Sequence, residues 1–236
     1  MEENDLKIIL LGESGVGKTS IILRYYKDLF DPNLQSTIGS TFIKKSLVKN
    51  NIKYNMNIWD TTGQEKYHSV TKLFIREASI AILVYAINNA ESFKKLDFWI
   101  KAVKDICDEN AILAIVGNKF DLIYDFDNEN ENKDENEKYV PEEEAKKFAE
   151  EKNVMFKLVS AKSDGKGIDS LFDELLNKYI AKNLTETSDN KNKNNAKLEN
   201  NKKTKNNKKM VAVNFHSFSI LIFFNNFILL YNLVKK

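Results

Sequence analysis

Along residues 6–181 the apolar positions fall into short continuous runs separated by helical stripes, the alternation of an α/β protein. Residues 6–11 form a short apolar run that reads as a buried strand, a glycine loop ends it, and 19–27 reads as a helix. Ile52, Tyr54, Met56 and Ile58 alternate with Lys53, Asn55 and Asn57, a period of two that predicts a strand over 52–58 with one apolar face. Asn50-Asn51 separates it from 41–48, a two-residue hairpin signal. Residues 79–86 and 111–116 are almost continuously apolar, as strands buried on both faces of a parallel sheet should be. Between them Phe93, Leu96, Ile100 and Val103 recur at helical spacing, and Cys107 closes that helix as a small buried hydrophobe. Pro141 followed by three glutamates predicts a first helical turn, because proline's missing N–H costs nothing there and acids favour the positive end. A last strand over 155–160 and a last helix over 167–181 complete the pattern. The prediction is α/β: a doubly wound, mostly parallel sheet of six strands, one of them antiparallel through the hairpin, with five helices.

The domain spans residues 1–181, and an insertion within it and the segments after it fall outside the alternating pattern. Residues 124–139 are rich in Asn, Asp and Glu and read as an acidic surface insertion. Residues 182–209 contain 18 Asn or Lys in 28, too polar to bury a core, and are expected to be a disordered tail. Residues 210–234 then hold 18 apolar and seven polar residues without a formal charge, between two lysine pairs. Length and lack of charge admit a transmembrane tail anchor. Asn214, Asn225, Asn226 and Asn232 stand against it, since each amide needs a partner in lipid. Two other readings stay open: a soluble or interfacial segment, or sequence read through from AT-rich non-coding DNA.

With 236 residues, 42% hydrophobic and 30% charged, fibrous and wholly disordered chains are excluded. One cysteine excludes an internal disulfide framework and a four-cysteine zinc site, and His68 and His216 are too few for a histidine-rich metal centre. The formal charge of +2 hides two opposed runs, seven acids against two lysines in 125–138 and nine lysines against three acids in 182–209. The acidic N-terminus has no apolar stretch for a signal peptide, and Glu2 excludes the glycine that N-myristoylation requires.

The strongest chemical signal is Gly12-Glu13-Ser14-Gly15-Val16-Gly17-Lys18-Thr19, a phosphate-binding loop in its required place between a strand and a helix. Glycines let successive backbone N–H groups converge on phosphate oxygens, and the helix N-terminus adds positive charge. Gly12, Ser14, Gly15, Val16, Gly17, Lys18, Thr19 and Ser20 are the expected phosphate contacts, with Lys18 reaching the outer phosphates and Thr19 ligating Mg²⁺. Asn118-Lys119-Phe120-Asp121, after the fifth strand, selects the base. The Asp121 carboxylate can accept hydrogen bonds from guanine N1–H and its exocyclic amine, donors that adenine lacks on that edge. A wrong base leaves the desolvated carboxylate unpaired, which disfavours an ATP-dependent kinase or ATPase. Ser160-Ala161-Lys162 ends the sixth strand as a second base-contacting loop.

Through these motifs the chain resembles the Ras superfamily of small GTPases and, within it, the Rab family. The resemblance spans residues 6–181, with all five guanine-nucleotide motifs in order. It implies that Asp60 in Asp60-Thr61-Thr62-Gly63-Gln64-Glu65 binds Mg²⁺ through water, that Gly63 donates to the γ-phosphate, and that Gln64 positions the attacking water. It implies Thr37 as a Mg²⁺ ligand of the GTP state and Phe30 as the aromatic beside guanine. Gln64 and Lys18 are then the catalytic residues. The lean towards Rab rests on Ile38-Gly39-Ser40-Thr41-Phe42, Asn57-Ile58-Trp59-Asp60 and Phe74-Ile75-Arg76. Strand parity turns Phe42 and Trp59 away from the core, and the resemblance implies Phe42, Trp59 and Phe74 as an effector patch; coverage by a helix is the alternative.

Departures from the family are Thr62 for alanine, Ala86 for aspartate and Glu77 for glycine. Thr62 beside the γ-phosphate loop puts the intrinsic rate in question, and a nucleotide-binding scaffold that hardly turns over is the rival expectation. His68 is expected to be a surface or effector contact rather than a catalyst. No arginine in the phosphate loop or switch I serves as a finger in cis, so slow hydrolysis without an activating protein is expected. The expected partners are an exchange factor, an activating protein and effectors, with no nucleic acid. The expected place is the cytosolic face of an endomembrane, in vesicle traffic.

Overall fold

The computed structural model describes residues 2–37, 40–61, 73–107, 111–123, 139–163 and 165–201, with side chains in the last helix described as far as residue 185. Six strands, β1 (Glu2–Leu11), β2 (Thr41–Lys49), β3 (Ile52–Asp60), β4 (Ile80–Ala86), β5 (Ile112–Asn118) and β6 (Met155–Leu158), lie in the order β2-β3-β1-β4-β5-β6. β2 runs antiparallel to β3, and the other pairings are parallel. Asn50 and Asn51, at φ 53° and 62°, both take the left-handed conformation that a tight two-residue hairpin requires. The helices that cover the sheet are α1 (Lys18–Lys27), α2 (Ala90–Lys94), α3 (Leu96–Cys107), α4 (Glu142–Lys152) and α5 (Gly165–Asn201).

The sheet is covered on both faces, and residue parity decides which face each side chain joins. Leu6, Ile8 and Leu10 of β1 enter a cluster with Tyr25 of α1 and Phe172 of α5, whose rings stack at 3.8 Å. Ile9 and Leu11 enter the opposite cluster with Phe93, Trp99 and Val103 from α2 and α3 and Ala145 and Ala149 from α4. β4 is buried along its whole length, as its continuous apolar run requires.

Several boundaries differ from the sequence pattern. β1 begins at Glu2 rather than residue 6 because polar side chains extend its pairing. Lys53 and Asn55 of β3 both donate to the Glu3 carboxylate, at 2.9 and 3.1 Å. Asn55 also accepts from Ser46 and is only 2% exposed, so the second face of β3 is a satisfied polar cluster there rather than a wet surface. The helix expected around 93–107 is two, joined where the Lys95 N–H is shared between the Glu91 and Phe93 carbonyls. Cys107 is half-buried rather than buried, with its thiol 2.9 Å from the Ile75 carbonyl. Glu77 sits at φ 62°, where the family's glycine would be free of strain; the left-handed region costs an ordinary residue roughly 1–2 kcal/mol.

The chain divides into two units, 1–186 and 187–236. In the second unit helical backbone is described through Asn201, so the last helix runs past residue 181, and residues 202–209 of the polar tail lie outside the described residues. Between 168 and 201 there is no glycine or proline to stop a helix once nucleated. Among the described residues no helix is long and apolar enough to cross a membrane. Residues 210–236, and 124–138 of the acidic insertion, lie outside the described residues.

Candidate functional site

The site residues lie at carboxyl ends of strands: Gly12 follows β1, Asp60 ends β3, Asn118 ends β5, and Ser160 lies two residues after β6. Ligands of open α/β sheets bind at this edge. A cavity of about 470 Å³ opens here, within the range of nucleotide-sized pockets. Ser14, Gly15, Gly17, Lys18, Thr19, Ser20, Phe30, Thr37, Asn118, Lys119, Asp121, Ala161 and Lys162 all line it. Gly12, Val16 and Ser160 are not among the lining residues, and each also has a structural task. A Cβ on Gly12 would stand 2.1 Å from the Val84 carbonyl oxygen, so this glycine admits the close approach of β4. The Val16 side chain is buried in the core, and Ser160 is buried behind Asp121.

The Lys18 ammonium curls back to donate to the Gly12 and Glu13 carbonyls, both at 2.8 Å. Burial lowers it to about 8, with Asp60 and Glu13 opposing, so at neutral pH it remains a cation. Three oxygen groups meet beside it. The Thr19 hydroxyl donates to Asp60 Oδ2 at 2.6 Å and lies 2.7 Å from the Thr37 hydroxyl. Burial raises the Asp60 carboxyl, against the Thr19 hydrogen bond and the Lys18 charge. Its Oδ1 is buried with no hydrogen-bond partner among the described residues. An oxygen-only donor set with an orphaned carboxylate oxygen fits a hard divalent cation that keeps waters and shares ligand phosphates. Among the described residues no group of three or more His, Cys, Asp or Glu gathers to hold a metal unaided.

At the far end of the cavity Ser160 orients Asp121. The Ser160 oxygen accepts from the Lys162 and Ser163 N–H groups at 3.2 and 3.1 Å, leaving its proton for Asp121 Oδ1. The Lys162 ammonium lies 3.8 Å from Asp121 Oδ2. Asn118 links two loops: its amide donates to the Val16 carbonyl at 2.9 Å and accepts from the Ala161 N–H at 3.2 Å. A Cβ on Gly17 would fall 2.2 Å from the Asn118 amide nitrogen, so this contact needs a glycine. Lys119 takes φ 69°, and burial lowers its ammonium.

Asp31, Pro32, Gln35 and Asn88 also line the cavity, without a signal in the sequence pattern that marks them. Arg24 went equally unmarked, because an arginine inside a helix reads as a surface charge. Gly63 and Gln64, with Thr62 and His68, lie outside the described residues. On the sheet, Trp59 joins Phe42 and Phe74 at centroid distances of 5.1 and 5.4 Å. Phe42 is 49% exposed, whereas Trp59 is half-buried against the second core cluster; parity turned it to a covered face, not to open solvent.

Strand order, a glycine loop between β1 and α1, and the carboxylate loop after β5 define a P-loop nucleotide-binding domain. Comparison with known proteins narrows the class. The Ras family model matches residues 7–181. Ras-related protein Rab5A of Oryza sativa subsp. japonica is 36% identical over 174 residues, 74% of this chain and 79% of that protein. Ras-related protein Rab-31 of Rattus norvegicus is 37% identical over 163 residues, 69% of this chain and 77% of the relative. Ras-related protein Rab-22A of Homo sapiens is 37% identical over 175 residues, 74% and 84%. The chain belongs to the Ras family and is a Rab-type small GTPase. It binds GTP and GDP, hydrolyses GTP, and serves membrane traffic through regulators and effectors.

Proposed function

We propose that the cavity at the carboxyl edge of the sheet is the nucleotide site, with phosphates at the glycine loop and guanine between Asn118-Lys119, Asp121 and the 160–162 loop. The observation that carries this reading is the Asp121 carboxylate, fixed as an acceptor by the Ser160 hydroxyl inside a cavity whose other end holds the Lys18 cation. Phe30 covers the base and Ser20 closes the phosphate end. The hydroxyls of Thr19 and Thr37, and Asp60 through water, would hold Mg²⁺, which when bound neutralises phosphate charge. Lys18 swings from the Gly12 and Glu13 carbonyls to the outer phosphates and steadies the negative charge that spreads as the terminal bond breaks. Thr37, whose hydroxyl lies 2.7 Å from that of Thr19, would report the γ-phosphate by ligating Mg²⁺ in the GTP state only.

Gln64 orients the attacking water, and no arginine of the loop assists it, so intrinsic turnover is slow. Phe42, with Trp59 and Phe74 beneath it, is the effector surface, on the cytosolic face of an endomembrane. The test is single-turnover hydrolysis of preloaded GTP without a partner. Gln64→Leu should hold GTP at near-wild-type affinity with an intrinsic rate at least tenfold lower; an unchanged rate assigns the water to another group, with Thr62 the first suspect.

The Lys18 shift adds a pH dependence. The phosphates require the ammonium, and the nucleotide-free protein loses its proton near pH 8. GDP affinity by titration calorimetry should therefore fall by roughly fourfold between pH 7 and 8.5. The folded value is below the unfolded one, so above about pH 8 the unfolded chain binds the proton more strongly. The nucleotide-free fold consequently gains stability as pH rises from 8 towards the usual lysine value, opposite in sign to affinity.

A further inference from the structure

We infer that Arg24, which lies on α1 outside the nucleotide motifs, is a positioning residue that latches the base-contacting loop to the phosphate-binding helix and so slows nucleotide release. Its side chain is 15% exposed and every guanidinium nitrogen is engaged. Nε donates to the Ala161 carbonyl at 2.9 Å, and one terminal nitrogen donates to the Lys162 carbonyl at 3.0 Å. The other donates to the Asp28 carbonyl at 3.1 Å and to its carboxylate at 2.8 Å. The planar fork of arginine suits this: one rigid group spans two successive carbonyls of the loop while a third donor anchors it on its own helix.

The latch closes a ring. α1 begins at Lys18 and Thr19; Val16, two residues before it, accepts from Asn118, Asn118 accepts from Ala161, and Ala161 accepts from Arg24 on α1. The phosphate end and the base end of the cavity are thus tied by two separate bridges, Asn118 on one side and Arg24 on the other. Gly165, at the start of α5, packs onto the same group: a Cβ there would lie 3.1 Å from Asp28 Oδ1 and 3.3 Å from Arg24 Cδ. Arg24 therefore sits where α1, the 160–162 loop and the start of α5 converge. Hydrogen bonds from a charged group to carbonyls are stronger than neutral ones, and removing the donor leaves two loop carbonyls to find water. The loop is then free to move away from the base while the glycine loop, Lys18 and Thr19 keep their places.

This inference rests on the nucleotide-site reading above, and the experiment separates the two. The full-length protein is loaded with a fluorescent GDP in Mg²⁺, and dissociation is followed after adding excess unlabelled GDP. Failure of the wild-type protein to take up GDP would sink the site reading itself. With wild-type binding intact, Arg24→Gln should release GDP about tenfold faster, and Arg24→Lys, which keeps the charge but reaches fewer carbonyls, should fall between. The preference for GDP over ADP should also drop in Arg24→Gln, a readout that loss of stability alone does not move, because unfolding removes both ligands' sites equally. If Arg24→Gln does not fold, Arg24→Lys decides, with a release rate at least twice that of wild type as the required result. Release within twofold of wild type and an unchanged GDP to ADP preference in the folded variants would overturn the latch, even with a lowered melting temperature.

Discussion

Asp121→Asn should abolish measurable GTP selectivity, weakening guanine nucleotide binding by more than a hundredfold and favouring xanthine nucleotides. The Ser160 proton is committed to position 121, because the Ser160 oxygen already accepts two backbone N–H groups. An asparagine there must keep its carbonyl towards Ser160, which turns its NH₂ to the place of Oδ2. That amide then faces the guanine N1–H and exocyclic amine, donor against donor, and it also loses the attraction to Lys162. Sites built around such polar pairs discriminate by about 10⁴–10⁵ when the pairing is lost. Xanthine presents a carbonyl at that corner and restores the match. Competition binding with GTP, XTP and ATP measures it, and an unchanged guanine preference would place base recognition elsewhere.

The second large effect separates stability from function. Lys18→Met should reduce GDP and GTP affinity by about 10²–10³, the scale of losing one partner of a buried charge pair. The nucleotide-free protein should nevertheless melt no lower than wild type. The ammonium is buried against two carbonyls at a cost visible in its lowered titration, and methionine fills the same volume without a charge to desolvate. Asp60 becomes a less well-compensated carboxyl in exchange, since Lys18 is one of the two influences that hold it down. The pH dependence of affinity predicted above should vanish with the lysine. Nucleotide titration alongside thermal unfolding of the nucleotide-free form decides the matter; intact affinity would remove Lys18 from the phosphate contacts.

Much of this site was legible because its chemistry lies in contiguous motifs. Gly12 to Thr19 and Asn118 to Asp121 each join a strand end to the next element, so position in the alternating pattern was enough to place them on one edge. The hairpin was equally local: two asparagines tolerate the left-handed turn, and both adopt it. What escaped is non-local. Arg24 meets a loop 137 residues away, and no helical periodicity can announce that. Parity puts Trp59 on the face opposite Met56 and Ile58, yet parity says nothing about whether that face is covered, and α2–α4 cover much of it, so Trp59 is half-buried rather than open to solvent. β1 gained four residues from Glu3, whose partners lie 50 and 52 positions on. A strand extended by polar pairing leaves no apolar run to read.

The glycine at 17 carries a consequence for how this protein can change over generations. It yields space to the Asn118 amide, whereas the glycine at 12 yields space to a main-chain carbonyl that no replacement can shrink. A larger residue at 12 therefore has no compensating partner anywhere in the sequence. One at 17 would meet the Asn118 amide and, at φ 94°, would stay strained even beside a smaller side chain at 118, a change that would also cut the tie to Ala161 on which the base end depends. The two motifs, separated by a hundred residues of chain, are thus not free to drift independently: each limits the residues the other can try.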